Sequence, residues 1–233
     1  MANPFFYSED IGPQATHYVL GEETSKHIVQ VLRMKEGEKL NLTNGKGYIF
    51  STEITDINRK GIHLKILDSG FTAVSNKILI AISLVKNAAR FEWFLEKATE
   101  AGVSHIIPLV CKRTERFQFR MDRMRKIMVS AMLQSQQAHL PLLDEPLKFD
   151  QYISGQNNNQ KFIAHCSDDQ TRQSLISFAP FKDPVILIGP EGDFTNEEIS
   201  QAMANGFKAV SLGDTRLRTE TAGIVATVLL NNY

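Results

Sequence analysis

The chain is short of cysteine, of net charge and of long apolar runs, and each shortage closes off a class of protein. Cys111 and Cys166 are its two cysteines in 233 residues. They have no partners at metal-ligand spacing and each ends an apolar run, so both read as reduced core residues and no metal site is expected. The 26 basic and 26 acidic residues cancel, which argues against a uniformly basic nucleic-acid binder. No apolar stretch approaches the ~20 residues of a membrane helix, and no basic-then-apolar signal pattern opens the chain. A cytoplasmic protein with no membrane partner is the expectation. Two glycine motifs are also missing. There is neither a Gly-x-Gly-x-x-Gly dinucleotide turn nor a P-loop ending in Gly-Lys-Ser/Thr.

The chemical information lies in two loops near the C-terminus. Ile186-Leu187-Ile188-Gly189-Pro190-Glu191-Gly192-Asp193 follows the apolar run Val185–Ile188. Ser211-Leu212-Gly213-Asp214-Thr215-Arg216-Leu217-Arg218-Thr219-Glu220-Thr221-Ala222 follows Ala209–Leu212. Each run reads as a buried strand and each loop opens a helix. Thr195 and Glu198 form a capping-box pattern for the first helix, with Gly206 as its stop; Thr219 or Thr221 starts the second. Strand, glycine loop and helix, twice in succession, put backbone N–H groups and an arginine at the carboxyl ends of parallel strands, where open α/β sheets bind ligands.

The rest of the chain divides by pattern. Residues 1–71 read as a small β domain. It has a helix over Glu22–Met34, with Ile28, Val31 and Leu32 on one face. Strands follow at Lys39–Thr43, Tyr48–Thr55 and Gly61–Leu67, with turns at Asn44–Gly47 and Asn58–Gly61. Asp68–Lys77 reads as a linker, which places the boundary near residue 72. Residues 72–233 alternate strands and helices: strand Ile78–Leu84, helix Arg90–Ala101, strand Ser104–Val110, helix Met121–His139, strand Lys161–His165 and helix Gln170–Phe178, then the two loops. That alternation predicts a parallel sheet covered on both faces. Between Lys112 and Lys126 seven basic residues face Glu115 and Asp122, with Phe117 and Phe119 interleaved. Such a run is either a solvated helix face or a phosphate-contacting patch.

Leu-Ile-Gly-Pro-Glu-Gly followed by Leu-Gly-x-x-x-Leu-Arg-x-Glu-Thr-Ala resembles the SPOUT methyltransferases, and most of all the RsmE family, which methylates N3 of a uridine in bacterial small-subunit ribosomal RNA. Val31–Glu38, Glu96–Val103 and Ile106–Leu109 also resemble blocks of that family, so the likeness runs the length of the chain. It implies an α/β protein with an N-terminal PUA-like RNA-binding barrel. The C-terminal domain would be a trefoil-knotted SPOUT domain, paired with a second copy through its last helix. The cofactor implied is S-adenosyl-L-methionine, and the substrate is small-subunit ribosomal RNA or the assembled small subunit.

On that basis Leu84, His165, Gly189, Glu191, Gly192, Leu212, Gly213 and Leu217 are the expected cofactor residues. Arg218 is the expected catalytic cation, stabilising the uridine as its N3 proton leaves. Glu220 is expected to act as general base, to fix Arg218 in a bidentate pair, or simply to cap the helix terminus. Lys26, Arg33, Lys35, Lys112, Arg113, Arg116 and Arg120 are the expected RNA contacts. Two departures from the family pattern stand out: Asp193 where a second glycine is common, and Gln137 where an arginine often follows Gln-Ser. Other readings are a SPOUT enzyme acting on another nucleotide, a non-catalytic RNA-binding factor, and an enzyme binding phosphorylated metabolites.

Overall fold

The computed structural model describes residues 3–59, 61–74, 76–115, 117–155, 160–167 and 172–233. The chain divides into two compact units, Met1–Val74 with Met132–Leu140, and Ser75–Ala131 with Pro141–Tyr233.

The first unit contains β1 (Phe5–Tyr7), β2 (His17–Val19), α1 (Glu22–Lys26), β3 (Lys39–Thr43), β4 (Tyr48–Asn58) and β5 (Gly61–Phe71). Its sheet runs β1-β3-β4-β5-β2, with β1 parallel to β3 and the other pairs antiparallel. Alternate residues point inward, as a pleated strand requires. Leu40, Leu42, Phe50, Ile54, Ile62 and Leu64 meet Ile11, Leu20 and Ile28 in one core. Bulges at Ser51/Thr52 and Ile54/Asp56 bend the long β4–β5 pair around it. The β3–β4 turn is built by Asn44, whose Oδ1 accepts the backbone N–H groups of Lys46 at 2.9 Å and Tyr48 at 3.3 Å.

Several expected elements are drawn differently. The helix expected over Glu22–Met34 stops being α-helical after Lys26 and continues as a π-turn, His27–Leu32, closed by Arg33 at φ 56°. The wider turn breaks the three-to-four-residue spacing of the apolar stripe. Ile28 is buried, but Val31 and Leu32 are 64% and 42% exposed. The strand expected to end at Leu67 runs on to Phe71, because Ser69 and Gly70 pair with Phe50 and Ile49 through backbone alone.

Segment 132–140, which the sequence reading left in the second domain, belongs to the first unit. Thr43 Oγ1 and the Gly47 N–H both donate to Ala138 O, and Lys46 bridges His139.

The second unit contains β6 (Leu79–Ser83), α2 (Ala88–Glu100), β7 (His105–Val110), α3 (Met121–Gln134, whose residues from Met132 on fall in the first unit), β8 (Leu142–Leu143), β9 (Leu147–Lys148), α4 (Phe149–Ile153), β10 (Gln160–Ala164), β11 (Gln173–Ser174), β12 (Pro184–Ile188), α5 (Asn196–Ala204), β13 (Lys208–Ser211) and α6 (Thr219–Asn232). The strand order is β11-β13-β10-β12-β6-β7-β8, every pair parallel, with β9 on a further stretch of β7. All five residues of β12 are buried, as expected of a strand covered on both faces. On one face Ala81, Ile107, Leu109, Ile163, Val185 and Leu187 pack with Phe149 and Tyr152 of α4 and Ile199 and Ala202 of α5. On the other, α6 lies against β6 and β12, with α2 packed on α6.

Two helix expectations fail in this half of the chain. The helix expected over Met121–His139 ends at Gln134. Gln136 takes φ 55°, with the Gln136 N–H on Leu133 O and the Gln137 N–H on Met132 O, a left-handed stop formed without glycine or asparagine. The helix expected over Gln170–Phe178 is, from 172 on, the edge strand β11 and a single 3-10 turn, Leu175–Phe178. Gln170 and Thr171 lie outside the described residues. Leu175 is buried and Ile176 is 42% exposed.

Gly223 sets how closely α6 approaches the sheet. A Cβ there would lie 2.5 Å from Phe94 Cε2 and 2.8 Å from Ile82 Cδ1, and Phe94 is fully buried. In an open helix Gly→Ala gains roughly 1 kcal/mol. Here overpacking outweighs that gain, and Gly223→Ala is expected to destabilise by about 1–3 kcal/mol in urea unfolding. A variant as stable as the parent would show that α6 is not tightly seated.

Candidate active site

Three adjacent parallel strands, β13, β10 and β12, end side by side at Ser211, Ala164 and Ile188. Beyond those ends lies a cavity of about 360 Å³. Of the residues expected to hold a cofactor, His165, Gly189, Glu191, Leu212, Gly213 and Leu217 line it. Leu84 does not; it is buried beyond β6, its N–H on Leu109 O. Gly192 is not on the wall either. It sits in the turn, where its carbonyl accepts from Arg113.

The two glycine loops are tied together. The buried Thr219 hydroxyl donates to Gly189 O at 2.9 Å, joining the first turn of α6 to the end of β12. Thr195 caps α5 with the expected capping box, and the buried Glu198 carboxylate also accepts the Lys112 N–H at 2.8 Å. Gly189 has no left-handed backbone. It is small because a Cβ would press on the Phe194 ring at 3.0 Å. Gly213 is at φ 145° with nothing within 4 Å of its missing Cβ, so backbone is exposed to the cavity there.

Asp193 takes φ 63°, a conformation that Asp tolerates better than most residues. It does not cap α5. Its Oδ2 accepts the Cys166 N–H at 2.7 Å and its Oδ1 the Phe194 N–H at 2.8 Å. Cys166 is exposed at the cavity, contrary to the expected core position, because β10 ends before it, at Ala164. Cys111 is the core thiol, and burial pushes its pKa up to about 12.

His165 is 4% exposed and neither ring nitrogen has a hydrogen-bond partner. Burial lowers its pKa, with Arg172 adding to the fall and Asp193 opposing it. A neutral imidazole with two free nitrogens at a cavity wall is a ready hydrogen-bonding group for a ligand.

Arg218 occupies the N-cap of α6, exposed, on the cavity wall. The expected Arg218–Glu220 pair is not formed. Glu220 is 6% exposed and faces Arg90 of α2, with Oε1 3.7 Å from Arg90 Nε and Oε2 unpartnered. Two positions along a helix do not face one another. Glu220 is also not on the cavity wall.

Thr219, Arg172 and Cys166 carry no mark in the sequence: Thr219 and Cys166 are tied to residues 30 and 27 positions away, and Arg172 to a carbonyl seven positions back. Thr219 stood only as a helix start, with no signal pointing to Gly189.

The expected RNA contacts are scattered. Lys26 pairs with Glu22, and Arg33 and Lys35 are exposed in the first unit. In the second unit Lys112 and Arg120 are exposed, while Arg113 Nη1 is committed to Gly192 O and Phe194 O. Arg116 lies outside the described residues. Arg123 forms a two-bond pair with Glu92. Phe119 packs edge-on against Phe91, which fits the solvated-face reading for at least that ring. Among the described residues no three His, Cys, Asp or Glu side chains gather where they could hold a metal ion, and no helix is long and apolar enough to cross a membrane.

Comparison with known proteins adds a family to this geometry. Residues 73–231 match the model of an RNA methyltransferase domain, and residues 20–67 that of an RNA methyltransferase PUA domain. The chain is 30% identical over 235 residues to a ribosomal RNA small subunit methyltransferase E of Buchnera aphidicola, covering 97% of this chain and 92% of that one. Among solved structures it is similar to a probable rRNA-methyltransferase from Porphyromonas gingivalis, with TM-score 0.90, 35% identity and 98% and 97% of the two chains covered. It is also similar to a ribosomal RNA small subunit methyltransferase E from Neisseria gonorrhoeae bound to S-adenosyl methionine, with TM-score 0.85, 27% identity and 99% and 97% covered.

Two outcomes are expected from the site's internal bonds. Thr219→Val keeps the shape but leaves Gly189 O unsatisfied, and should cost about 1–3 kcal/mol in urea unfolding; no loss would mean the tie is idle. His165 has its pKa lowered in the folded state, so the unfolded chain binds the proton first. The stability this neutral histidine allows is complete above about 6.5 and falls as the pH drops from there toward the folded-state value. His165→Gln should flatten the pH dependence of unfolding over that range. An unchanged slope would place the acid sensitivity elsewhere.

Proposed function

We propose that this chain, which belongs to the ribosomal RNA small subunit methyltransferase E family of RNA methyltransferases, transfers the methyl group of S-adenosyl-L-methionine to N3 of a uridine in small-subunit ribosomal RNA. The observation that carries the reading is the cavity at the ends of β10, β12 and β13. It is apolar at Leu212 and Leu217, open to backbone approach at Gly213, and furnished with the unpartnered ring nitrogens of His165. Those features fit a bent nucleoside-bearing cofactor. Its volume is in the range of small-molecule sites.

The cofactor brings a methyl group already activated on a sulfonium, so the protein's task is alignment and charge control. Leu212, Gly213, Leu217 and Gly189 would hold it, with His165 and Glu191 at the polar edge. Arg218 supplies a fixed cation at the cavity. Among the described residues its guanidinium has no hydrogen-bond or ion-pair partner, so it is free to receive the oxygens of a uracil ring losing its N3 proton. Glu220 serves this reading as an anchor of α6 against Arg90.

The first unit docks the RNA through its exposed Lys26, Arg33 and Lys35, with Lys112 and Arg120 of the second unit adding phosphate contacts. A second copy pairs on α6. There Val228 is 42% exposed, and Ile224, Val225 and Leu229 stay only half-buried. The trefoil threading and a cytoplasmic site of action follow from the same family reading.

Calorimetric titration of S-adenosyl-L-methionine tests the cavity assignment. The parent should bind, and Gly213→Trp should not, since an indole would fill the open space and φ 145° disfavours any side chain. Arg218→Ala should still bind the cofactor but lose about 10²–10³ in the rate of methyl transfer, the scale of removing one charge-stabilising donor. Failure of the parent to bind would overturn the reading. Full activity of Arg218→Ala would remove Arg218 from the chemistry.

A further inference from the structure

The aspartate that departs from the common glycine pattern of the first loop has a place of its own in the site. A glycine would adopt φ 63° without strain, so an aspartate here carries a conformational cost that its contacts must offset. Two contacts do so: Oδ2 accepts the Cys166 N–H at 2.7 Å and Oδ1 the Phe194 N–H at 2.8 Å, both bonds to a carboxylate and therefore among the stronger kinds of hydrogen bond. The Asp193 N–H meanwhile closes the turn on Pro190 O. Cys166 follows His165, whose carbonyl accepts from Arg172 Nη1 at 2.7 Å. The single peptide that joins His165 to Cys166, just past the end of β10, is thus held from both sides, by a carboxylate on its N–H and a guanidinium on its C=O. All four residues line the cavity.

We propose that Asp193 is a positioning residue of the methyl-donor site. Its carboxylate joins the first glycine loop to the end of β10 and thereby fixes the wall formed by His165 and Cys166 before a cofactor enters. The proposal rests on the reading of this cavity as the cofactor site. With Thr219 holding the loop at Gly189 and Asp193 holding it at the other end, the wall is preformed, and binding does not have to order it. Glycine at 193 would keep the turn and lose the tie. Asparagine would place an NH2 donor where one of the two carboxylate oxygens now accepts, so in this geometry it keeps one of the two bonds.

The test compares the parent, Asp193→Asn and Asp193→Gly. In calorimetry Asp193→Gly should bind S-adenosyl-L-methionine about tenfold more weakly, the worth of one lost charge-assisted bond, and Asp193→Asn should lie between. Two readouts need no cofactor. The Cys166 amide should exchange with solvent faster in Asp193→Gly. By NMR the His165 ring should titrate lower in Asp193→Asn, because the negative charge that opposes the pull of burial and Arg172 is gone. Parent-like affinity with a parent-like Cys166 amide in Asp193→Gly would overturn the proposal. If the parent itself takes up no cofactor, the methyl-donor reading fails, while the Cys166 and His165 measurements still decide whether Asp193 fixes the wall.

Discussion

One buried hydroxyl holds the site together. Thr219 Oγ1 on Gly189 O is the bond through which the two glycine loops become walls of a single cavity, thirty positions apart in the chain. It works because each partner is itself fixed. Gly189 ends a strand buried on both faces, and Thr219 opens a helix seated against β6 by the close approach at Gly223. The sheet supplies rigidity and the loops supply chemistry, the division of labour usual for sites on parallel sheets.

Around that tie the charges are arranged locally, in a chain whose net charge is zero. His165 is kept neutral by burial and Asp193 is spent on backbone N–H groups. Arg172 grips a carbonyl and Glu220 faces Arg90. Among the described residues Arg218 has no partner for its fork of donors at the cavity wall. A fixed surround with uncommitted cations at the wall, Arg216 and Arg218 among the described residues, suits a reaction in which negative charge appears briefly on a uracil ring.

Much of this was legible in the residues because the signals were local. An unbroken apolar run gave β12, the Thr195–Glu198 spacing gave the start of α5, and Asn44-Gly45 gave a hairpin turn. The glycine-loop motifs brought His165, Gly189, Glu191, Leu212, Gly213 and Leu217 to one cavity. What escaped was non-local or unsignalled. The partner of Glu220 is on α2, not two residues away. The stop of α3 is a left-handed glutamine, which no propensity marks. The π-turn after Lys26 and the edge strand β11 depend on packing and pairing that a stripe of apolar residues does not encode.

The most direct test of the central claim is the chemical identity of the product. The protein would be incubated with small ribosomal subunits lacking the modification, and with the free RNA, in the presence of S-adenosyl-L-methionine carrying a labelled methyl group. The RNA would then be digested and its nucleosides resolved by mass spectrometry. Label is expected in 3-methyluridine at one position, and nowhere when Gly213→Trp replaces the parent. Label on a ribose hydroxyl or another base, or no label in either RNA, would contradict it.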